Sequence, residues 1–147
     1  MENGLLARQA RVDEPPRSRG IPPRLLCVDG SGFAARELLD AAAEVGIETM
    51  SLASGLDDAL RQALMGSPNI IVMPYVGDQV LQFLRAIEFM RATGFSPYVV
   101  LVADGDHGAV LEKCEGFYRI SVLPLARVSQ QLLPHLLRIA REIAPEA

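Results

Sequence analysis

The sequence has no tryptophan, two cysteines and two histidines among its 147 residues. No apolar stretch approaches the ~18–20 residues that a membrane-spanning helix needs. The opening MENGLLARQARVDEPPRSRG lacks the apolar middle of a secretory signal. Cys27 and Cys114 lie far apart, in apolar or helical settings, and offer neither a metal-binding spacing nor a disulfide framework. A reducing cytoplasm is therefore the expected location. Positive charge is also scarce. The net charge is −4, and the arginines Arg8, Arg11, Arg17 and Arg19 outnumber the acids only within residues 1–22. An acidic body argues against nucleic acid, which needs a basic face.

What is present is the composition of a soluble globule, 50% apolar and 22% charged, in a chain long enough for one domain with its own core. Pro15-Pro16 and Pro22-Pro23 interrupt the first 22 residues, which are expected to form a flexible leader. The domain is expected over 23–147, and no output domain is expected after it.

From Arg24 strands and helices alternate. RLLCVD (24–29) reads as a strand. The helix SGFAARELLDAAAEV follows, with Ser31 as cap, an apolar stripe at 34, 38, 41 and 45, and Gly46 as stop. IETMSLA (47–53) reads as a second strand, and Ser54 to Asp57 as a capping box opening the next helix. IIVM (70–73), YVVLVA (98–103) and YRISVL (118–123) complete five strands. Between them lie a helix over about 78–92 closed by Gly94, a short helix capped by Asp106, and a last helix striped at 132, 136, 139 and 143. Pro134 inside that last helix predicts a kink or a later start. Strands apolar on both faces and alternating with helices specify a doubly wound five-stranded parallel sheet, an α/β (βα)5 sandwich of the flavodoxin-like kind.

Such sheets place their chemistry at the C-terminal ends of the strands. Gly30-Ser31-Gly32-Phe33-Ala34-Ala35 matches a dinucleotide fingerprint in form, but Leu52, Ala53 and Ser54 stand where its ribose-binding acid belongs, and Asp29 faces the phosphate position. No G-x-S-x-G elbow supports a nucleophilic serine, and His107 and His135 lack a serine or cysteine partner. Asp29, Asp78, Asp104 and Asp106 could gather at one edge for magnesium. Asp106 and Asp78 are more simply explained by helix capping and the helix dipole. In PNIIVMPYVGD (68–78) the third strand ends on Met73-Pro74, which offers no acid, hydroxyl, thiol or amine.

These landmarks resemble, over about residues 24–145, the receiver domain of bacterial response regulators. In that family an acidic pair ends the first strand, and Asp29-Gly30 stands there. The third strand matches Pro68-Asn69-Ile70-Ile71-Val72-Met73, with Pro74 on the phosphoacceptor. The fourth matches Pro97 to Ala103, with Val102 on the hydroxyl position. The fifth matches Val122-Leu123-Pro124-Leu125, with Leu123 in place of lysine and Pro124 retained. Gly30 and Pro74 are 44 residues apart, close to the family's usual interval. The resemblance implies a degenerate phosphorylation pocket of Asp29, Gly30, Pro74, Val102, Leu123 and Pro124, with a cis Leu123–Pro124 bond. It also implies no resident metal or cofactor (Asp29 being vestigial) and no enzymatic activity, while Pro74, which pins φ and removes a donor, is expected to stiffen the loop after the third strand.

Function then rests on surfaces. On the helix of 78–92, Val80, Phe83, Leu84, Ile87 and Met90 make the core face. Phe89 and Leu81 interrupt the polar one and mark a contact surface, as do Ile120 (the aromatic switch position) and Arg127. The expected partner is a histidine kinase, a phosphotransferase or another signalling protein, with a homodimer as a further form of association. Neither nucleic acid nor membrane is expected. An alternative is a small-ligand sensor that uses the emptied pocket.

Overall fold

The computed structural model describes residues 23–30 and 35–143. The leader 1–22, the Ser31 cap and the Gly32–Ala34 part of the glycine motif lie outside the described residues. Five strands form one parallel sheet: β1 Arg24–Cys27, β2 Glu48–Thr49, β3 Ile70–Pro74, β4 Tyr98–Ala103 and β5 Ile120–Pro124. Their order is β2-β1-β3-β4-β5. The helices are α1 Ala35–Glu44, α2 Leu56–Gly66, α3 Gln79–Met90, α4 His107–Lys113 and α5 Val128–Ile143. Short 3-10 turns at Arg91–Thr93 and Leu125–Arg127 extend α3 and introduce α5.

The period of two along a strand sorts its side chains between two cores. Leu26, Ile71, Met73, Val99 and Leu101 face one way and pack with Val80, Phe83, Leu84 and Ile87 of α3. Leu25, Cys27, Ile70, Val72, Val100 and Val102 face the other way and meet Leu39 of α1 and Leu132, Leu136 and Ile139 of α5. Every one of these strand residues is buried, which is why the strands read as continuous apolar runs.

Several local expectations shift. On α1 the buried row is Ala35, Leu39 and Ala42, while Val45 is exposed. Three consecutive alanines at 41–43 leave the stripe ambiguous by one position, and the small Ala35 and Ala42 take the sheet-facing row. Only Glu48–Thr49 of the second strand pairs regularly. The amides of Met50 and Ala53 then bond the carbonyls of Leu25 and Cys27, so three residues on one strand span two on the other. That bulge ends the ladder early. At α2 the cap residue is Gly55, and no side chain caps the helix. Instead the Ser54 amide donates to Asp58 at 3.0 Å, one residue beyond the expected acid.

Asp106 caps α4 as expected, accepting from the Ala109 amide at 3.1 Å. β5 starts two residues late because Arg119 adopts a left-handed backbone with φ 62°. α5 begins at Val128, upstream of Pro134, so the later start does not occur. Pro134 sits on an exposed position of the helix, where the carbonyl it leaves unbonded can meet water. The Leu123–Pro124 bond is trans, against the expectation of a cis bond. The strand remains extended through Pro124, which stays in register with Ala103.

Candidate functional site

The strand order reverses direction between β1 and β3, and ligands of such sheets bind in the crevice at that switch point. Asp29 and Gly30 leave β1 there, and Pro74 ends β3. The Val28 amide bonds the Val72 carbonyl at 2.8 Å, and the Tyr75 amide bonds the Val102 carbonyl at 2.9 Å. The floor of the crevice is therefore held by the sheet's own ladder.

Gly30 and Pro74 meet across this floor. A Cβ on Gly30 would stand 2.5 Å from Cγ and 2.9 Å from Cβ of Pro74. The proline ring thus occupies the space that a side chain at position 30 would need. Val102 is buried in the core beneath α1 and α5, and Leu123 is half-buried against the same cluster. Pro124 is half-buried at the end of β5. Asp29 is exposed, and its carboxylate accepts the Gly30 amide at 3.0 Å. The structure brings Asp29, Gly30, Pro74 and Val102 to one end of β1, β3 and β4, and it places Leu123 on the neighbouring β5.

The remaining acids do not join them. Asp78 accepts the Tyr75 hydroxyl at 3.1 Å and pairs with Lys113 at 3.4 Å, tying the loop after β3 to α4. Asp106 is committed to its cap, and Asp104 is exposed. Among the described residues no group of three or more His, Cys, Asp or Glu could hold a metal ion. Asp29 alone, flanked by Gly30 and Pro74 without side-chain oxygens, does not fit the two or three oxygen ligands that magnesium takes. Cys27, one turn of the pleat below, is buried. Desolvation and the nearby Asp29 charge push its thiol up to about 12, so it is no nucleophile.

The two candidate surface residues on α3 divide. Phe89 is 85% exposed, whereas Leu81 is half-buried and packs on the core. Ile120 likewise packs partly on that core, and Arg127 is exposed on the turn before α5. Sequence reasoning missed the cluster around Arg91. Its guanidinium pairs with Glu88 at 3.1 Å, donates to Ser96 Oγ at 2.5 Å and to the Tyr118 carbonyl at 2.6 Å, and lies 5.1 Å from the Tyr118 ring centre. No local pattern announces a contact made across 27 residues.

No family model and no curated protein matches the sequence. Solved structures do match its fold. The signal receiver domain of a protein assigned as a Luxo repressor, from Vibrio parahaemolyticus, superposes with a TM-score of 0.55 at 15% identity, over 81% of this chain and 93% of that one. A response regulator receiver domain protein from Clostridium thermocellum gives 0.53 at 16% identity, over 79% of this chain and 95% of that one. With its sheet order and the five α-helices of the described residues, the chain has the fold of response regulator receiver domains.

Proposed function

We propose that this chain is a phosphorylation-independent receiver, a non-catalytic module that acts in two-component-type signalling by binding another protein. The observation that carries the reading is the Pro74 ring seated against Gly30. Aspartyl phosphorylation needs a carboxylate nucleophile, a metal with its ligands, and a hydroxyl and a cation to hold the phosphoryl oxygens. In this reading Pro74, Gly30, Val102 and Leu123 occupy those positions, and none of their side chains supplies the chemistry. The Pro74 ring also fills the place that a side chain at position 30 would take. Space for a ligand at that point is reduced in the same way, which favours the interaction module over a sensor that uses the emptied pocket.

A surface role is supported by Phe89, a large ring left in water on the outer face of α3. Exposed Arg127 and half-buried Ile120 offer a second face beside β5. The partner class is a signalling protein such as a histidine kinase or phosphotransferase, or a second copy of the chain.

The test is an amide chemical-shift titration with magnesium and then beryllofluoride, a stable stand-in for an aspartyl phosphate. The signals of Asp29, Gly30, Tyr75 and Val102 are expected to stay fixed. Saturable shifts that spread from them into β5 would refute the reading.

A further inference from the structure

The opposite end of the sheet, where the strands begin, carries a cleft of about 580 Å³. That volume lies within the range of small-molecule sites, about 300–1,000 Å³. One wall is apolar, built from Leu64 at the end of α2, Met90 at the end of α3, and Phe95. Ser67, Asn69 and Ser96 supply hydroxyls and an amide, and among the described residues Arg119 is the one cation in the lining. Among the described residues no acid lines the cleft.

Arg119 has the features of a residue held for use. Its backbone is left-handed at φ 62°, a conformation that suits glycine or asparagine and costs a long side chain. The other left-handed non-glycine among the described residues, Ser67 at φ 48°, lines the same cleft, but as the end cap of α2 it has an ordinary structural reason. Arg119 caps no helix. Its guanidinium is stacked 4.6 Å from the Tyr98 ring centre and 5.3 Å from that of Tyr118. It donates from Nη1 to the Ser96 carbonyl at 2.9 Å, while Nε is buried with no partner.

The neighbouring guanidiniums are committed elsewhere. Arg24 bonds the Gly66 carbonyl and pairs with Glu48, and Arg91 is held by Glu88, Ser96 and Tyr118. Arg119 has no carboxylate partner among the described residues. A cation held against two rings is pre-organised and partly desolvated, which strengthens its attraction for an incoming anion.

We propose that this cleft binds a small organic anion, a carboxylate- or phosphate-bearing molecule with an apolar body. The anionic group meets the Arg119 guanidinium, with Ser67 and Asn69 as further donors, and the body lies along Leu64, Met90 and Phe95. The site is at the far end of the sheet from Pro74, so it stands whether or not phosphorylation has been lost.

The experiment is an amide chemical-shift titration of the full chain with three probes: 4-phenylbutyrate, phenyl phosphate and the uncharged 4-phenylbutanol. At least one acid is expected to saturate with a Kd of about 1 mM or tighter, the range open to a fragment of this size. The shifts should fall on residues 63–69, 90–96 and 119, and the tighter acid identifies the preferred head group. The alcohol should bind at least tenfold more weakly. Leu64 is 58% exposed, so Leu64→Asp leaves the fold intact and puts a carboxylate at the mouth. It should weaken the acid at least tenfold, as should Arg119→Asn, whose new residue accepts the left-handed backbone. Absence of saturation below about 10 mM, equal binding of the alcohol, or unchanged binding to Leu64→Asp overturns the proposal. Leu64→Asp decides the matter even if Arg119→Asn fails to fold.

Discussion

Placing an acid at position 30 tests the interlock directly. The Gly30 backbone is not left-handed, so Gly30→Asp carries no conformational penalty of its own and its cost is steric. Carbon atoms pack best at about 3.5–4.0 Å. The new Cβ would meet Pro74 Cγ at 2.5 Å, Cβ at 2.9 Å and Cδ at 3.4 Å, so the ring or the strand end must retreat by roughly 1 Å. Pro74 cannot retreat freely. It ends β3 in register with Val102, and the next amide is bonded to the Val102 carbonyl. Overpacking of this kind costs about 1–3 kcal/mol. At roughly 3–6 °C per kcal/mol for a domain of this size, the melting temperature should fall by at least about 3 °C. Pro74→Ala removes the Cγ and Cδ contacts and leaves only the Cβ contact. In that background Gly30→Asp should cost no more than half as much, a coupling of at least about 0.5–1.5 kcal/mol in a double-mutant cycle read by urea denaturation. If Gly30→Asp is neutral, or costs the same with proline or alanine at 74, the two residues are not interlocked.

Further outcomes follow from the same structure. Phe89→Ser should leave the urea midpoint within about 0.5 kcal/mol of the parent, since the ring is exposed. It should weaken pull-down of the cognate signalling protein or dissolve a homodimer, and unchanged association would remove α3 from the interaction surface. Glu88 is held below its ordinary value of 4.5, first by the Tyr118 amide and then by Arg91. The stability it contributes is therefore complete above that value and lost as the pH falls through the lowered one. The urea-midpoint gap between the parent and Glu88→Gln should be full at pH 7 and close on acidification, whereas a constant gap would show that ionisation is irrelevant there. Cys27, buried and with its thiol pushed up to about 12, should resist alkylation by iodoacetamide at pH 8 until the fold opens, and rapid labelling of the native protein would contradict its burial.

The sequence by itself determined the architecture. Strands that are apolar on both faces must be covered on both faces, and the alternation of strand and helix with right-handed crossovers leaves little besides this sandwich. It also determined that the side chains of Gly30, Pro74, Val102 and Leu123 bring no donor, acceptor or charge, wherever they sit. Element edges were less legible. The alanine run at 41–43 left the α1 stripe free to rotate by one residue, and neither the bulge in β2 nor the left-handed Arg119 that delays β5 has a signature in periodicity. Only the tertiary structure decided that Leu81 faces the core while Phe89 faces water, since just over two turns of helix set them roughly 80° apart, an angle whose outcome the neighbouring elements settle. It alone showed that the Pro74 ring occupies the space a side chain at position 30, 44 residues earlier, would need. It alone gathered Arg91, Arg119, Tyr98 and Tyr118 at the far edge of the sheet. Contacts of this kind depend on distances between strands and loops, and a linear pattern of polarity does not encode distance.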